Sequence, residues 1–141
     1  MDFLSSFRVT ASGLSAQRLR MNLISENLAN AQTTRTPEGG PFRRRDAIFV
    51  ARPFADVLSG QMESGTTGVA VDRISMDQGE PRLQYDPSHP DANKEGYVQM
   101  PNIDVVTEMV NMMSASRSYE ANVSVMNASK AMALKALEIG R

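Results

Sequence analysis

Cysteine is absent from all 141 residues, which excludes disulfides, thiolate metal sites and a cysteine nucleophile together. Tryptophan is absent too, and aromatics make up 6% against 41% hydrophobic residues. The large side chains that usually anchor a compact core are therefore scarce, and a thin core is expected. Charge of one sign is also missing. The formal net charge is −1, whereas a nucleic-acid binder carries a clear basic excess to neutralise phosphates, so no nucleic-acid partner is expected. No stretch approaches the roughly 18 apolar residues of a membrane-spanning helix, so direct membrane insertion is not expected. The opening residues MDFLSSFRVTASGLSAQRL place Asp2 where a cleaved secretory signal carries positive charge. They also lack a continuous apolar region, so export by a cleaved signal is not expected.

Helix breakers are confined to the middle of the chain. All seven prolines and seven of the nine glycines lie between residues 33 and 101, leaving both ends free to be helical. Near the N-terminus, Phe7, Leu14, Met21 and Leu28 recur every seven residues. Phe3, Ala11, Ile24 and Ala31 fill the intervals, an apolar stripe broken at Gln17 and Arg18 that predicts a helix over residues 3–32. The C-terminal segment contains EMVNMMSASRSYEANVSVMNASKAMALKAL, with five methionines and neither glycine nor proline. Asn102 after Pro101 is the expected N-cap, Asp104 suits the first turn and Gly140 suits the end. Val105, Met109, Met112, Ser116, Tyr119, Val123, Met126, Lys130, Ala133 and Leu137 alternate spacings of four and three, the period of a coiled-coil seam. A second, looser face carries Val106, Val110, Met113, Ala121, Ala128 and Ala131, interrupted by Arg117 and Ser124. One partner helix cannot cover both.

The middle follows a different rule. DAIFVAR, GVAVDRIS, RLQY and GYVQM are short, rich in Val, Ile, Phe and Tyr, and bounded by turn residues, as brief strands are. SGQMESGTTG (59–68) offers little to bury and reads as a loop. The expected class is α+β: long N- and C-terminal helices forming an antiparallel coiled-coil-like pair, with a small β-rich insert between them. The expected division is residues 1–32, 33–100 and 101–141.

Chemistry is sparsely signalled. The single histidine, His89, lies in DPSHPDANKEG without a second His or Cys to complete a ligand set, and reads as an exposed turn. DANKEG resembles the start of a calcium loop, but Asn102 stands where the bidentate glutamate belongs. The run Arg43–Arg45 is short and followed by Asp46, the pattern of a solvated strand edge. Met109, Met112 and Met113 offer thioethers to Cu(I) in principle, yet packing at helical spacing accounts for them. Neither a nucleophile elbow, a phosphate loop nor a zincin motif is present, so no enzyme, metal or cofactor is expected.

Two stretches carry a family likeness. ASGLSAQRLRMNLISENLANAQT (11–33) resembles the N-terminal signature of the bacterial flagellar axial proteins, the rod and hook family. GYVQMPNIDVVTEMVNMMSASRSYEANVSVMNASKAMALKALEIG (96–140) resembles that family's C-terminal signature and is most like its proximal rod members. The likeness implies a structural subunit of the periplasmic rod that transmits torque from motor to hook. It implies copies of itself and other flagellar rod proteins as partners, and delivery by the flagellar type III export apparatus. With it, the expected assembly interface comprises Phe7, Leu14, Met21, Ile24, Leu28, Val105, Met109, Met112, Tyr119, Val123, Met126, Ala133 and Leu137. Asn27, Asn30, Arg117, Glu120, Asn122 and Asn127 are candidates for setting register. Because isolated helices are marginal in water, both ends are expected to be partly disordered before assembly. A soluble helical adaptor or export chaperone, and a periplasmic copper-binding protein, stand as rival readings.

Overall fold

The computed structural model of the protein describes residues 3–53 and 67–139. Helix α1 spans Phe3–Ala29 and helix α2 spans Val105–Ile139. Between them lie β1 (Arg45–Pro53), β2 (Thr67–Met76), β3 (Arg82–Tyr85) and β4 (Tyr97–Met100). These form two separate antiparallel hairpins, β1–β2 and β3–β4. Residues 59–66 of the expected loop and the expected terminator Gly140 lie outside the described residues, while residues 67 and 68 open β2. Among the described residues no helix is long and apolar enough to cross a membrane.

Two contacts fix how the helices run. The Asn27 amide donates to the Glu108 carboxylate at 3.2 Å. A Cβ built on Gly13 would lie 3.1 Å from the Asn122 side chain. Moving back from Asn27 to Gly13 corresponds to moving forward from Glu108 to Asn122, so α1 and α2 are antiparallel and advance in step. The same register places Arg20 level with Ala115 and Phe3 level with Met132. The last turns of α2 therefore extend past the first described residue of α1. Leu137 and Ile139 in that overhang are 71% and 86% exposed.

The buried side of α2 differs from the stripe expected of it. Met112, Tyr119, Met126 and Ala133 do face inward and are half-buried. The alternate positions, however, are Glu108, Ala115, Asn122 and Ser129, one residue earlier than Met109, Ser116, Val123 and Lys130. Glu108, Ala115 and Ser129 are buried while Met109 is 54% exposed. Small or hydrogen-bonding side chains let the helices approach closely there, so an apolar periodicity alone misses Glu108, Ala115 and Ser129, while Ser116 and Val123 remain half-buried.

The β1–β2 hairpin lies along another side of α1. Ser12 Oγ accepts the Val69 backbone N–H at 3.0 Å, and Asn27 pairs with the backbone of Arg45, which faces Met76 across the hairpin. From Ser12 to Asn27 the helix rises about 22 Å, matched by the extended chain from Val69 to Met76 at about 3.3 Å per residue. The helix is thus held between α2 and the hairpin. Where α1 ends, Ala31, Phe42 and Ile103 form a small buried cluster, consistent with the shortage of large aromatics.

The turn of the β3–β4 hairpin absorbs the DANKEG segment. Asn93 Oδ1 accepts the N–H groups of Glu95 and Tyr97 at 3.0 and 2.8 Å, and His89 Nδ1 accepts that of Asp91 at 3.1 Å. Asp91 also accepts the Thr34 hydroxyl at 2.8 Å. Gly96 has φ +84°, and a Cβ there would meet the Tyr85 ring at 2.9 Å, a ring held edge-on to Tyr97 at 5.3 Å. Gly96→Ala combines a left-handed backbone penalty with a steric one and is expected to cost about 2 kcal/mol. Urea unfolding checks this; an alanine variant as stable as the parent would show that the turn relaxes freely.

Candidate assembly surface

The N-terminus of α2 is set by Asp104 rather than Asn102. Asp104 Oδ1 accepts the Val106 N–H at 3.1 Å, and Oδ2 accepts the Thr107 hydroxyl at 2.6 Å. Asn102 instead donates to Asp77 at 3.2 Å. The Thr107 hydrogen bond, followed by that of Val106, holds the Asp104 carboxyl below its ordinary value. A depressed folded value means that the cap stabilises α2 above the unfolded carboxylate range and is lost as pH falls through the folded one. Asp104→Ala is expected to lower stability at neutral pH, whereas Asp104→Asn keeps the cap and loses its acid sensitivity. Thermal melts from neutral to acidic pH check the pair; identical pH profiles for parent and asparagine variant would contradict it.

Helix α2 begins beside a buried polar joint that the arginine run completes. Asn27 and Glu108 are 0% and 1% exposed. The Asn27 side chain pairs reciprocally with Arg45, its Oδ1 accepting the Arg45 N–H at 2.9 Å and its Nδ2 donating to the Arg45 carbonyl at 2.8 Å. Arg44 Nε donates to Glu108 at 2.8 Å and Arg44 Nη1 reaches Asp46 at 3.3 Å. Arg45 Nη1 reaches Glu26 at 3.0 Å, and its guanidinium lies 5.6 Å from the Phe42 ring centre. Burial opposes the Arg44 charge, but Glu108 and Asp46 outweigh it and raise its pKa further. The expected solvated strand edge is therefore the bolt that fastens the insert to both helices. Its partner Glu108 lies 64 residues away in sequence, beyond the reach of any local pattern.

Helix α2 also carries apolar side chains that the other described residues leave uncovered. Val106, Val110 and Met113 are 68%, 60% and 58% exposed. Ala121, Ala128 and Ala131 continue the exposed face. Of the expected interface residues, Val105, Met109 and Leu137 are exposed and Ile24 is buried. Phe7, Leu14, Met21 and Leu28 of α1, and Met112, Tyr119, Val123, Met126 and Ala133 of α2, are half-buried. Among the polar candidates Asn27 is buried, Asn122 is half-buried against Gly13, and Asn30 donates to the Glu26 carbonyl at 2.9 Å. Arg117, Glu120 and Asn127 are exposed. Sequence reasoning missed Glu108, Arg44 and Ala115. A glutamate where the α2 pattern needs an apolar residue was the available signal.

The face lies on a helix of 35 residues, about 50 Å long, and is interrupted by Arg117 and Ser124. Its first turns, where Val106, Val110 and Met113 stand beside the exposed Val105 and Met109, have the chemistry of a packing surface, since clustered exposed apolar side chains mark an interaction site.

Comparison with known proteins places both helices in recognised families. Residues 7–35 match the family described as flagella basal body rod protein, and residues 94–139 match flagellar basal body rod FlgEFG protein C-terminal. The chain is 48% identical to the flagellar basal-body rod protein FlgC of Bacillus subtilis, with both chains covered in full. It is 46% identical to that of Borreliella burgdorferi, covering 99% of this chain and 98% of the other. To that of Salmonella typhimurium it is 44% identical, again over both full chains.

Proposed function

The chain belongs to the flagellar basal-body rod protein family, and we propose that it is a structural subunit of the rod whose uncovered α2 face is closed by neighbouring subunits. The single observation that carries this reading is the apolar stripe of Val106, Val110 and Met113, exposed although α1 is already paired with α2. The matched family segments are the two helices that build the paired body, with the insert bolted to its side. The in-step antiparallel contacts support coiled-coil-like pairing of α1 and α2.

The partners in this reading are copies of the chain and other rod proteins, placed in the proximal rod. A heterologous contact repeated without closure generates a helical tube, and close packing lets such a tube transmit torque. Completing the burial of Val105, Val106, Met109, Val110 and Met113 supplies on the order of 5 kcal/mol, enough to offset part of the cost of ordering a subunit. Delivery through the flagellar type III apparatus to the periplasmic rod, in this reading, requires an unfolded or loosely ordered chain. The helices are accordingly expected to gain hydrogen-exchange protection on incorporation.

Deletion of the gene followed by electron microscopy of basal bodies tests the function. Loss of the rod, restored by the intact gene, is the expected result. Basal bodies with a complete rod in the deletion strain would overturn it.

A further inference from the structure

We infer that α1 and α2 pair only on a folded β1–β2 hairpin, because each helix buries a polar group at the joint that is completed by the base of that hairpin. The joint then sets an order on folding. The two ends of the chain close after the insert or together with it, and not before.

Glu108 and Asn27 face each other where the helices meet, 1% and 0% exposed. They touch at 3.2 Å, yet neither completes the other. The Asn27 amide gives one N–H to Glu108, while its second goes to the Arg45 carbonyl at 2.8 Å and its oxygen takes the Arg45 N–H at 2.9 Å. The Glu108 charge is met by Arg44 Nε at 2.8 Å, and among the described residues that is the one ion pair between the insert and α2. Helices that closed without the insert would enclose a carboxylate with no cation and an amide lacking two of its three hydrogen bonds. Leaving a buried charge and a buried amide unmet is strongly unfavourable. Half of the inward line of α2, Glu108, Ala115, Asn122 and Ser129, is small or polar, so the pair has little apolar burial there to set against that loss.

The folded hairpin, and not merely a nearby stretch of chain, supplies the missing groups. The Arg44 carbonyl accepts the Asp77 N–H at 2.8 Å, and Arg43 Nη1 donates to the Asp77 carbonyl at 3.1 Å. Arg45 stands opposite Met76 at the end of the β1–β2 ladder. Both strands thus hold the Arg44–Arg45 backbone that serves Asn27 and aims the guanidinium at Glu108.

Because the chain has no cysteine, one engineered disulfide reports the helix pair alone. Gly13→Cys with Asn122→Cys places two thiols in contact across α1 and α2, about 21 Å along the helices from the joint. The dilute full-length chain is oxidised with diamide at rising urea, and the yield of the 13–122 bond is read. Glu108→Gln, which keeps the shape and removes the charge, is introduced into three backgrounds. With Arg44 and the hairpin intact, it is expected to lower the urea midpoint. Arg44→Ala is expected to lower the midpoint by itself, as is Val71→Pro, which removes an N–H from the β1–β2 ladder away from the joint. In either of these backgrounds Glu108→Gln is expected to raise the yield several-fold. That reversal of sign marks a charge that only the hairpin satisfies, whereas a general loss of cooperativity lowers every variant alike. Helix pairing untouched by both Arg44→Ala and Val71→Pro, or a Glu108→Gln effect of one sign in all three backgrounds, overturns the interlock. A parent chain that forms no bond in dilute solution overturns it equally. None of these results bears on the rod reading, which the basal bodies of the deletion strain test separately.

Discussion

Replacing Glu108 with alanine should destabilise the folded subunit by about 3 kcal/mol, the cost of removing one partner from a buried, hydrogen-bonded ion pair. The carboxylate is 1% exposed and receives Arg44 Nε at 2.8 Å and the Asn27 amide at 3.2 Å. Its loss leaves the Asn27 amide short of an acceptor in a site closed to water. It also leaves the partly buried Arg44 with only the exposed Asp46 as an acid partner among the described residues. Glu108→Gln retains the shape and one acceptor, so it should cost less than alanine. Arg44→Ala should approach the cost of Glu108→Ala, because it strands the more deeply buried partner. Denaturant unfolding of the three variants supplies the ranking. A neutral Glu108→Ala would mean that the joint contributes nothing to holding the insert on the helices.

The second large effect concerns assembly and not folding. Val110→Asp with Met113→Asp places two charges on a face that is already in water in the single chain. Subunit stability should then change by no more than about 0.5 kcal/mol per site. Burying the same carboxylates between helices costs several kcal/mol each, and incorporation into the rod should be lost. The comparison separates the two roles of α2. Tyr119→Asp or Met112→Asp is a poorer probe, because both side chains are half-buried within their own chain and folding would suffer along with assembly. Motility together with the amount of soluble subunit reads both quantities. Full motility in the doubly substituted strain would remove this face from the interface.

The contrast between these variants shows what a one-dimensional pattern can carry. The four strands fall within two residues of the short Val-, Ile- and Tyr-rich segments, since turn chemistry and β-branched side chains act locally. Helix α2 was legible from the absence of breakers, and its inward Met112, Tyr119, Met126 and Ala133 from their spacing. Its other inward residues were not legible from that spacing, although Asn122 is among the candidates for setting register. Glu108 is a polar residue in an apolar seam, Ala115 is completely buried because it is small, and Asn122 fits against Gly13. Hydrophobic periodicity assigns those positions to solvent. The Arg43–Arg45 run misled for the same reason in reverse: charge suggested exposure, whereas the guanidinium of Arg44 serves a carboxylate contributed by the far end of the chain. The candidate surface was legible as a second face and as a likeness to rod proteins, but which of the two α2 faces stays open required the register of the helix pair.

Chemical accessibility of that open face measures the central claim most directly. Single cysteines at Val110 and Met113, in a chain with none of its own, are labelled with a maleimide on the dilute subunit and on isolated basal bodies. Rapid labelling of the subunit and strong protection in the rod is the outcome required if neighbouring chains cover α2. Equal labelling of both would contradict it.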